Sequence, residues 1–248
     1  MKLSQRLMEM YHQVSPGERV ADIGTDHAYI PILLMKNNIS PFVIMSDISK
    51  GSMDKAQRNC KEQGFGLPDS CFRVGDGLST IQPGEVDTIV IGGLGGRTIA
   101  GILASDQKLT NSFSKLILQP RNNSGELRYY LKLTGWNIIS ERLSQEGKFI
   151  CEIITSSAPE NTSAATGFSA ETDLVDLLKE GQDYRWRYPE SFKYLPSDQK
   201  ELLDKRLEWK FDSLNKEISN LKKSNKNHSE LISRLEGERD YLKWIKKD

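Results

Sequence analysis

Three aspartates stand at the ends of three successive apolar stretches, and their spacing suits the binding of a nucleoside. They are Asp22, Asp47 and Asp76. If the stretches are neighbouring parallel strands, the carboxylates lie at the sheet edge where open α/β proteins bind ligands. Asp47 could accept both hydroxyls of a ribose and Asp76 the exocyclic amine of an adenine, with Gly77 letting the chain turn past the ring. NAD enzymes place an acid as Asp47 is placed, so this residue alone does not identify the cofactor.

The turn after the first stretch, DIGTDHAY at 22–29, narrows the choice of cofactor. Gly24 permits close approach of a ligand to the backbone, but the dinucleotide-binding pattern GxGxxG is absent. The charge of Asp26 would repel a pyrophosphate, whereas it suits a cationic sulfonium. This residue therefore favours S-adenosylmethionine over NAD. The structural alternative is that Thr25 or Asp26 caps a helix beginning near His27.

Two further segments offer a substrate site. GGLGG at 92–96 has four glycines in five residues, and this lack of bulk would let a methyl donor and acceptor meet; a flexible turn is the alternative. A P-loop is excluded because its lysine is missing. In LILQPRNN at 116–123, Gln119 could read a base edge, Pro120 would stiffen the turn, and Arg121 could meet a phosphate.

The elements that position these residues follow from the hydrophobic pattern. Apolar stretches alternate with helical patterns, which predicts βαβ units and a parallel sheet. The predicted strands are 19–23, 42–47, 71–74, 87–91 and 115–119. The predicted helices are 3–14, 28–37, 50–63, 96–105 and 124–134. Two β-rich runs, 136–143 and 148–155 joined by SQEG, predict a closing antiparallel hairpin.

The composition changes after residue 155, and the remainder is helical. Leu207, Phe211, Leu214, Ile218 and Leu221 alternate spacings of four and three, as in a coiled coil. A second stripe of apolar residues follows the polar segment 222–229, which predicts an antiparallel helical hairpin. We therefore expect a sheet domain that binds S-adenosylmethionine over 1–156 and a helical coiled-coil domain over 157–248, with a polar loop at 156–171.

The lysines of the tail admit three interpretations. Lys222, Lys223 and Lys226 lie at the expected hairpin tip and Lys243, Lys246 and Lys247 near the chain end. They predict an RNA-binding arm, while a solvated charged face and a dimerisation surface are the alternatives.

Bulk properties exclude several classes of protein. The chain has 248 residues, 37% of them hydrophobic, and a formal net charge of zero, which counts mildly against nucleic-acid binding. No signal peptide or run of about 18 apolar residues is evident, so we expect a cytoplasmic protein with no membrane contact. The three cysteines form no zinc pattern with the three histidines, which predicts reduced thiols and no metal.

DIGTDHAY, GGLGG and LILQP together resemble the bacterial TrmK family of class I S-adenosylmethionine-dependent methyltransferases. The resemblance extends from LSQRL at 3–7 to about residue 155, and weakly into the tail, where the family carries a coiled-coil domain. The family's turn usually reads GMGG, and Leu94 stands for that methionine. The family methylates N1 of adenine 22 in tRNA, so the resemblance implies S-adenosylmethionine as cofactor, tRNA as partner and a Rossmann-like α/β fold.

The motifs and the resemblance define the expected site. The cofactor residues are Asp22, Gly24, Asp26, His27, Ala28, Asp47, Ile48, Asp76, Gly77, Gly92 and Gly93. The substrate residues are Gly95, Gly96, Arg97, Gln119, Pro120 and Arg121. The resemblance places Asp26 near the reacting centre, so we expect it to be catalytic, its charge favouring positive charge that develops on the base.

Two rival functions remain open from the residues alone. An NAD-linked oxidoreductase lacks its GxGxxG pattern here. A non-catalytic RNA-binding protein on the same fold would not need the intact acids of the cofactor site. Without the resemblance, a substrate other than tRNA also stays open. We expect a monomer, with a coiled-coil dimer as the alternative.

Overall fold

A seven-stranded sheet forms the centre of the protein. The structure is a computed structural model that describes residues 3–159, 176, 178–224 and 226–247. The strands are β1 (Val20–Ile23), β2 (Val43–Asp47), β3 (Phe72–Val74), β4 (Thr88–Leu94), β5 (Lys115–Pro120), β6 (Asn137–Glu146) and β7 (Phe149–Ser157). Their order is β3-β2-β1-β4-β5-β7-β6, in which β7 runs antiparallel to both of its neighbours and the other pairs are parallel. The expected fold class is confirmed.

Helices cover both faces of the sheet. They are α1 (Gln5–His12), α2 (Tyr29–Lys36), α3 (Lys50–Glu62), α4 (Gly96–Ala104), α5 (Gln107–Thr110) and α6 (Ser124–Leu133). Successive strand residues point to opposite faces: Val90 packs with α1 and α2, whereas Ile89 and Ile91 pack with α4 and α6. This is why β1 and β5 are buried along their whole length rather than at alternating positions.

The order of the strands creates a crevice. Because β1 pairs with β2 on one side and with β4 on the other, the winding of the chain reverses between β1 and β4. The loops that leave the carboxyl ends of these two strands therefore diverge, as at the ligand sites of other open α/β sheets. The residues that carry chemistry in the sequence follow these ends.

The hairpin that closes the sheet is longer than predicted. Residues of SQEG pair across it, with Glu146 opposite Phe149, so that only Gly147 and Lys148 form the link. Gly147 has φ +59°, which suits the first position of a tight two-residue turn. The predicted four-residue loop was wrong because backbone pairing continues through polar residues when the turn beyond them is tight.

The tail is an antiparallel helical hairpin as predicted. A short helix α7 (Tyr184–Arg187) precedes α8 (Ser197–Lys222) and α9 (Ser229–Lys246), with 3₁₀ turns at Leu178–Gln182 and Glu190–Tyr194. The two long helices bury a shared stripe comprising Leu207, Leu214, Ile218, Leu235, Leu242 and Ile245. The predicted polar loop lies outside the described residues beyond 159.

Packing crosses the expected domain boundary at residue 156. Leu178 belongs to the core beneath the sheet, and Leu143 of β6 belongs to the core of the tail. Arg206 of α8 forms an ion pair with Glu152 of β7. The division into 1–156 and 157–248 stays a prediction.

Several tail lysines are paired with acids of the tail itself. Lys222 forms an ion pair with Glu236, and Lys246 with Glu208. Such pairs suit the interpretation of these lysines as a solvated face. The RNA arm stays a prediction.

Candidate active site

The three aspartates lie side by side at the carboxyl edge of the sheet. Asp22 is in β1, Asp47 ends β2, and Asp76 lies two residues beyond the end of β3. The pairing of β1 with β2 and of β2 with β3 brings their ends together in this order. The structure thus assembles the acids as the sequence predicted.

The carboxylate of Asp47 has spare hydrogen-bonding capacity. Its Oδ1 accepts the backbone N–H of Ser49 at 2.8 Å, and its Oδ2 accepts that of Asp26 at 3.4 Å. A carboxylate offers about four lone-pair positions, so each oxygen retains one for a further donor. That arrangement matches the two hydroxyls of a ribose.

Three alternate residues of the turn after β1 have left-handed backbone conformations. Their φ angles are +77° at Gly24, +46° at Asp26 and +56° at Ala28. Within the described part of the chain, nothing lies within 4 Å of a Cβ built on Gly24, so the space above this turn is open. The turn is therefore a strained cradle, and it leaves room for a ligand against the backbone.

The capping interpretation of this turn is wrong. Helix α2 begins at Tyr29, its N-cap residue is Ala28, and no described side chain caps it. Thr25 instead donates from Oγ1 to Oδ2 of Asp22 at 2.7 Å. The Asp26 carboxylate lies beside Lys55 of α3 and does not cap α2.

Asp26 is an accessible carboxylate beside two basic side chains. Its side chain is 54% exposed, with Lys55 Nζ at 3.4 Å and His27 Nε2 at 3.3 Å. The His27 ring stacks on Tyr29 with centroids 5.1 Å apart. The acid is thus placed where a bound ligand could meet its charge.

Asp22 is a buried acid. Burial raises its pKa to about 6, the hydrogen bond from Thr25 opposes that shift, and the neighbouring charge of Asp47 adds to it. A buried carboxylate of this kind is held ionised best by a cation nearby. S-adenosylmethionine carries two cationic groups, an ammonium and a sulfonium, so the carboxylates of this edge fit this cofactor.

An apolar surface continues the edge beyond Asp47. The Ile48 side chain is 72% exposed and Val74 is 52% exposed, although both are large hydrophobic residues. A flat apolar ring such as adenine would cover such a surface. A cavity of about 820 Å³ opens beside Asp76 and Gly77 and runs along α4.

The glycines of GGLGG serve different purposes. Gly93 has φ +79° and open space at its Cβ position among the described residues, whereas a Cβ on Gly92 would lie 2.6 Å from Met10 Cε. A Cβ on Gly95 would lie 2.9 Å from Asn122 Oδ1, and one on Gly96 would overlap the carbonyl oxygen of Asn123. Only Gly93 leaves open room; the other three allow close packing.

A second cavity, of about 970 Å³, lies between this turn and the closing hairpin. Four of the six expected substrate residues line it: Gly95, Gln119, Pro120 and Arg121. Gly96 is buried, and Arg97 pairs with Glu126 on α6. The structure therefore brings four of the six together and places Gly96 and Arg97 outside the cavity lining.

The amide of Gln119 is engaged within the protein. Its Oε1 accepts Arg6 Nη1 and the Gly93 backbone N–H, each at 3.0 Å, and its Nε2 donates to the Pro120 carbonyl at 2.9 Å. Arg6 also pairs with Glu146 at 2.7 Å. Gln119 holds the turn in place here, and base reading by its amide stays a prediction.

Sequence reasoning missed the cavity residues that come from distant segments. Arg6, Glu146, Phe149, Arg187 and Arg206 all line the cavity. In the sequence, Arg6 belongs to the segment LSQRL, which fits a helical pattern. Nothing in that pattern indicates a functional role for Arg6. The described residues contain no cluster of three potential metal ligands. Across the described ranges, no helix is long and apolar enough to span a membrane.

Comparison with known proteins identifies the class of this fold. A sequence profile for a methyltransferase domain matches residues 3–154. The chain therefore carries a methyltransferase domain, as the sheet order and the acidic edge indicate.

Individual relatives narrow the class to one family. The tRNA (adenine(22)-N(1))-methyltransferase of Bacillus subtilis strain 168 is 34% identical over 176 residues, which are 71% of this chain and 73% of that protein. The chain belongs to the family of tRNA (adenine(22)-N(1))-methyltransferases, which confirms the resemblance inferred from the motifs. The crystal structure of the B. subtilis m1A22 tRNA methyltransferase TrmK matches at 25% identity with a TM-score of 0.71, over 99% of each chain.

A further solved structure shares the fold. Streptococcus pneumoniae Sp1610, a putative tRNA (m1A22) methyltransferase in complex with S-adenosyl-L-methionine, matches at 24% identity with a TM-score of 0.74. The match covers 99% of this chain and 100% of that one, so the tail is part of the shared architecture.

Proposed function

We propose that this protein transfers a methyl group from S-adenosylmethionine to N1 of adenine 22 in tRNA. The observation that carries the proposal is the edge formed by Asp22, Asp47 and Asp76 beside the open turn at Gly24, in a chain of this family. The B. subtilis relative is named for this reaction. The absence of the GxGxxG pattern speaks against an NAD enzyme.

Each residue of the edge has a distinct task in holding the cofactor. Asp47 accepts the ribose hydroxyls, Asp76 accepts the adenine amine, and Ile48 lies against the adenine ring. Asp22 and Asp26 face the cationic methionine end, with Gly24 and Gly93 leaving room beside them. When bound, the cofactor supplies an electrophilic methyl group on its sulfonium.

The protein needs no general base for this reaction. Adenine N1 is largely unprotonated at neutral pH, so its lone pair attacks the methyl group directly, and positioning provides most of the rate enhancement. The base becomes positively charged as the methyl group arrives. Asp26 favours that charge, although Lys55 at 3.4 Å reduces the effect.

The target base must leave its stack to reach the sheet edge. The cavity of about 970 Å³ next to the GGLGG turn has the size of a nucleotide site. We assign it to the target nucleotide, with Pro120 and Gly95 on its inner wall.

The stripe shared by α8 and α9 supports a monomer. Its leucines pack against each other and against Leu143 of the same chain, so this stripe is already covered within one chain. Because tRNA is the substrate, we place the reaction in the cytoplasm.

The deciding experiment uses two transcripts of one tRNA. The protein is incubated with labelled S-adenosylmethionine and a transcript carrying adenine 22 or guanine 22, and the labelled nucleoside is identified. We expect 1-methyladenosine from the first transcript and no label in the second. Label in both, or in a different nucleoside, would overturn the proposed target.

A further inference from the structure

The cavity assigned to the target nucleotide is built by the tail as well as by the sheet domain. One wall comes from the ends of β4 and β5 and another from β6 and β7. Arg187 of α7 and Arg206 of α8 complete it. The substrate site is therefore composite, and part of it lies beyond the region that the methyltransferase profile matches.

Four arginines line this cavity, but only two carboxylates do. Arg6 pairs with Glu146 at 2.7 Å, and Arg206 pairs with Glu152. The nearby buried Arg128 also pairs with Glu152, so neither lining carboxylate lacks a cation. Arg121 and Arg187 remain, and neither has an ion pair within the described ranges.

The two carboxylates stay ionised and compensated. Burial raises the pKa of Glu152, but Arg128 and Arg206 outweigh it and lower the pKa to about 2. The pKa of Glu146 is also lowered, because hydrogen bonds from Arg6 and Ser4 and the charges of Arg6 and Arg121 outweigh its burial. The surplus positive charge at the mouth therefore persists at neutral pH.

Arg187 is held at the cavity by buried contacts of the segment that carries it. The carbonyl of Trp186 accepts Arg128 Nη1 at 3.1 Å. Just before α7, a Cβ on Gly125 of α6 would overlap the carbonyl oxygen of Gly181, so the two backbones are in direct contact. Arg185, on the same helix, differs from Arg187 because it pairs with Asp183 and does not line the cavity.

An exposed aromatic ring lies in the same lining. Phe149, at the start of β7 beside the tight turn, is 63% exposed. Unpaired arginines together with an exposed aromatic ring suit an RNA strand whose bases are unstacked, since phosphates meet the guanidinium groups and bases stack on the ring.

We propose that Arg187 of the tail, together with Arg121, binds the phosphates that flank the target adenine, and that Phe149 stacks on an adjacent base. This inference rests on the proposed function, because it requires the cavity to receive the target nucleotide. The tail then acts in substrate binding at its base, next to the sheet, rather than only at its distant lysine-bearing tip.

The test compares Arg187→Ala and Arg121→Ala with Arg185→Ala, which removes one charge from the same short helix. Filter binding gives the Kd for tRNA, and steady-state kinetics give KM and kcat. We expect each cavity variant to raise the Kd and KM for tRNA about tenfold, with kcat within about twofold and S-adenosylmethionine affinity unchanged, and Arg185→Ala to behave as the parent.

Salt dependence and a conservative variant sharpen the assignment. Removing one arginine that binds a phosphate should reduce the slope of log Kd against log salt by about 0.7–0.9. Arg187→Lys should recover part of the affinity and most of the salt slope because it keeps the charge. Thermal unfolding of each variant controls for loss of fold.

Two results would overturn the inference. Equal losses in Arg187→Ala and Arg185→Ala would show general attraction to a basic surface, and unchanged tRNA affinity in Arg187→Ala would remove the residue from the site. In either case the parent protein would still produce 1-methyladenosine at position 22. If the parent protein formed no 1-methyladenosine at position 22, that result would instead count against the proposed function.

Discussion

The cofactor edge and the substrate cavity are built in opposite ways. The edge consists of the ends of β1, β2 and β3 and the short turns after them, and its acids fall within 55 residues of one another, from Asp22 to Asp76. The cavity combines side chains from α1, the ends of β4 and β5, the hairpin and the tail. One is a local feature of turns at strand ends, whereas the other exists only after distant segments have packed.

The two regions also differ in how they hold charge. At the edge, Asp26 is 54% exposed although Lys55 and His27 lie beside it, and Asp47 accepts only two backbone N–H groups of the described chain, so both carboxylates remain accessible to a ligand. Around the cavity, carboxylates and arginines neutralise each other in buried pairs, and only the surplus arginines face outward. The edge is therefore expected to govern binding and turnover, and the ion pairs of the cavity to govern stability.

The largest expected effect is at Arg128. Its side chain is 1% exposed and pairs with Glu141 at 2.7 Å and with Glu152. Arg128→Ala leaves two buried carboxylates without this partner, and breaking such a buried pair typically costs about 3–5 kcal/mol. Urea denaturation should show that loss. Arg185→Ala, which breaks an exposed pair, should cost less than about 1 kcal/mol; similar values for the two variants would contradict the comparison.

The second effect is a pH dependence that originates at the cofactor edge. The pKa of Asp22 rises from 3.8 to about 6 on folding, chiefly through burial. A raised pKa stabilises the folded state below the unfolded pKa, and that stability is lost as pH rises through 6. The change is about two units, or about 3 kcal/mol at about 1.4 kcal/mol per unit.

The variant Asp22→Asn removes this titration. The free energy of unfolding of the ligand-free parent should fall between about pH 4 and pH 7 relative to that of the variant. The two curves should run parallel above and below that window. A constant difference across the whole range would show that Asp22 does not titrate as its burial implies.

The third effect is a loss of cofactor affinity in a protein that stays folded. Asp47→Ala removes the acceptor of the two ribose hydroxyls, which should weaken S-adenosylmethionine binding by about 1–3 kcal/mol. Calorimetry measures the affinity and thermal unfolding the stability. Asp240→Ala is a contrasting acid variant, because Asp240 pairs with Lys243 on α9 of the tail. Unchanged affinity in a folded Asp47 variant would exclude Asp47 from the site.

The same contrast explains what the sequence could predict. Gly24, Asp47 and the strand ends follow from patterns of a few residues, because a strand-to-helix turn is a local structure. The edge of the sheet could therefore be predicted with its residues. The hairpin turn was misplaced because strand pairing through SQEG depends on partners along β7 rather than on local polarity.

The cavity could be predicted only in part. Pro120 ends β5 and Arg121 follows it directly, so both are positioned by a local structure. Nothing near Arg6 or Arg187 in the sequence distinguishes these two from other surface arginines. Their roles depend on which surfaces fold onto them. The hydrogen bonds of the Gln119 amide could not be predicted either, because its partners Arg6 and Gly93 lie far away in the chain.

The smallest expected effect separates charge from backbone geometry at Asp26. Its φ of +46° is left-handed, a conformation that asparagine adopts at a lower cost than alanine does. Asp26→Asn should keep stability within about 0.5 kcal/mol of the parent, as is usual for surface changes without strain. Asp26→Ala should lose about 1 kcal/mol or more, because alanine has no local polar compensation in this region.

Turnover should respond differently from stability in these two variants. Both remove the carboxylate, so both should lower the methyl-transfer rate at saturating tRNA and cofactor by about tenfold, equivalent to about 1.4 kcal/mol. If Asp26→Asn keeps the parent rate while Asp26→Ala loses it, the residue serves the shape of the turn and its charge does not assist the reaction. Equal rate losses with unequal stabilities would instead assign the left-handed turn to folding and the carboxylate to the developing charge on the base, which is the outcome we expect.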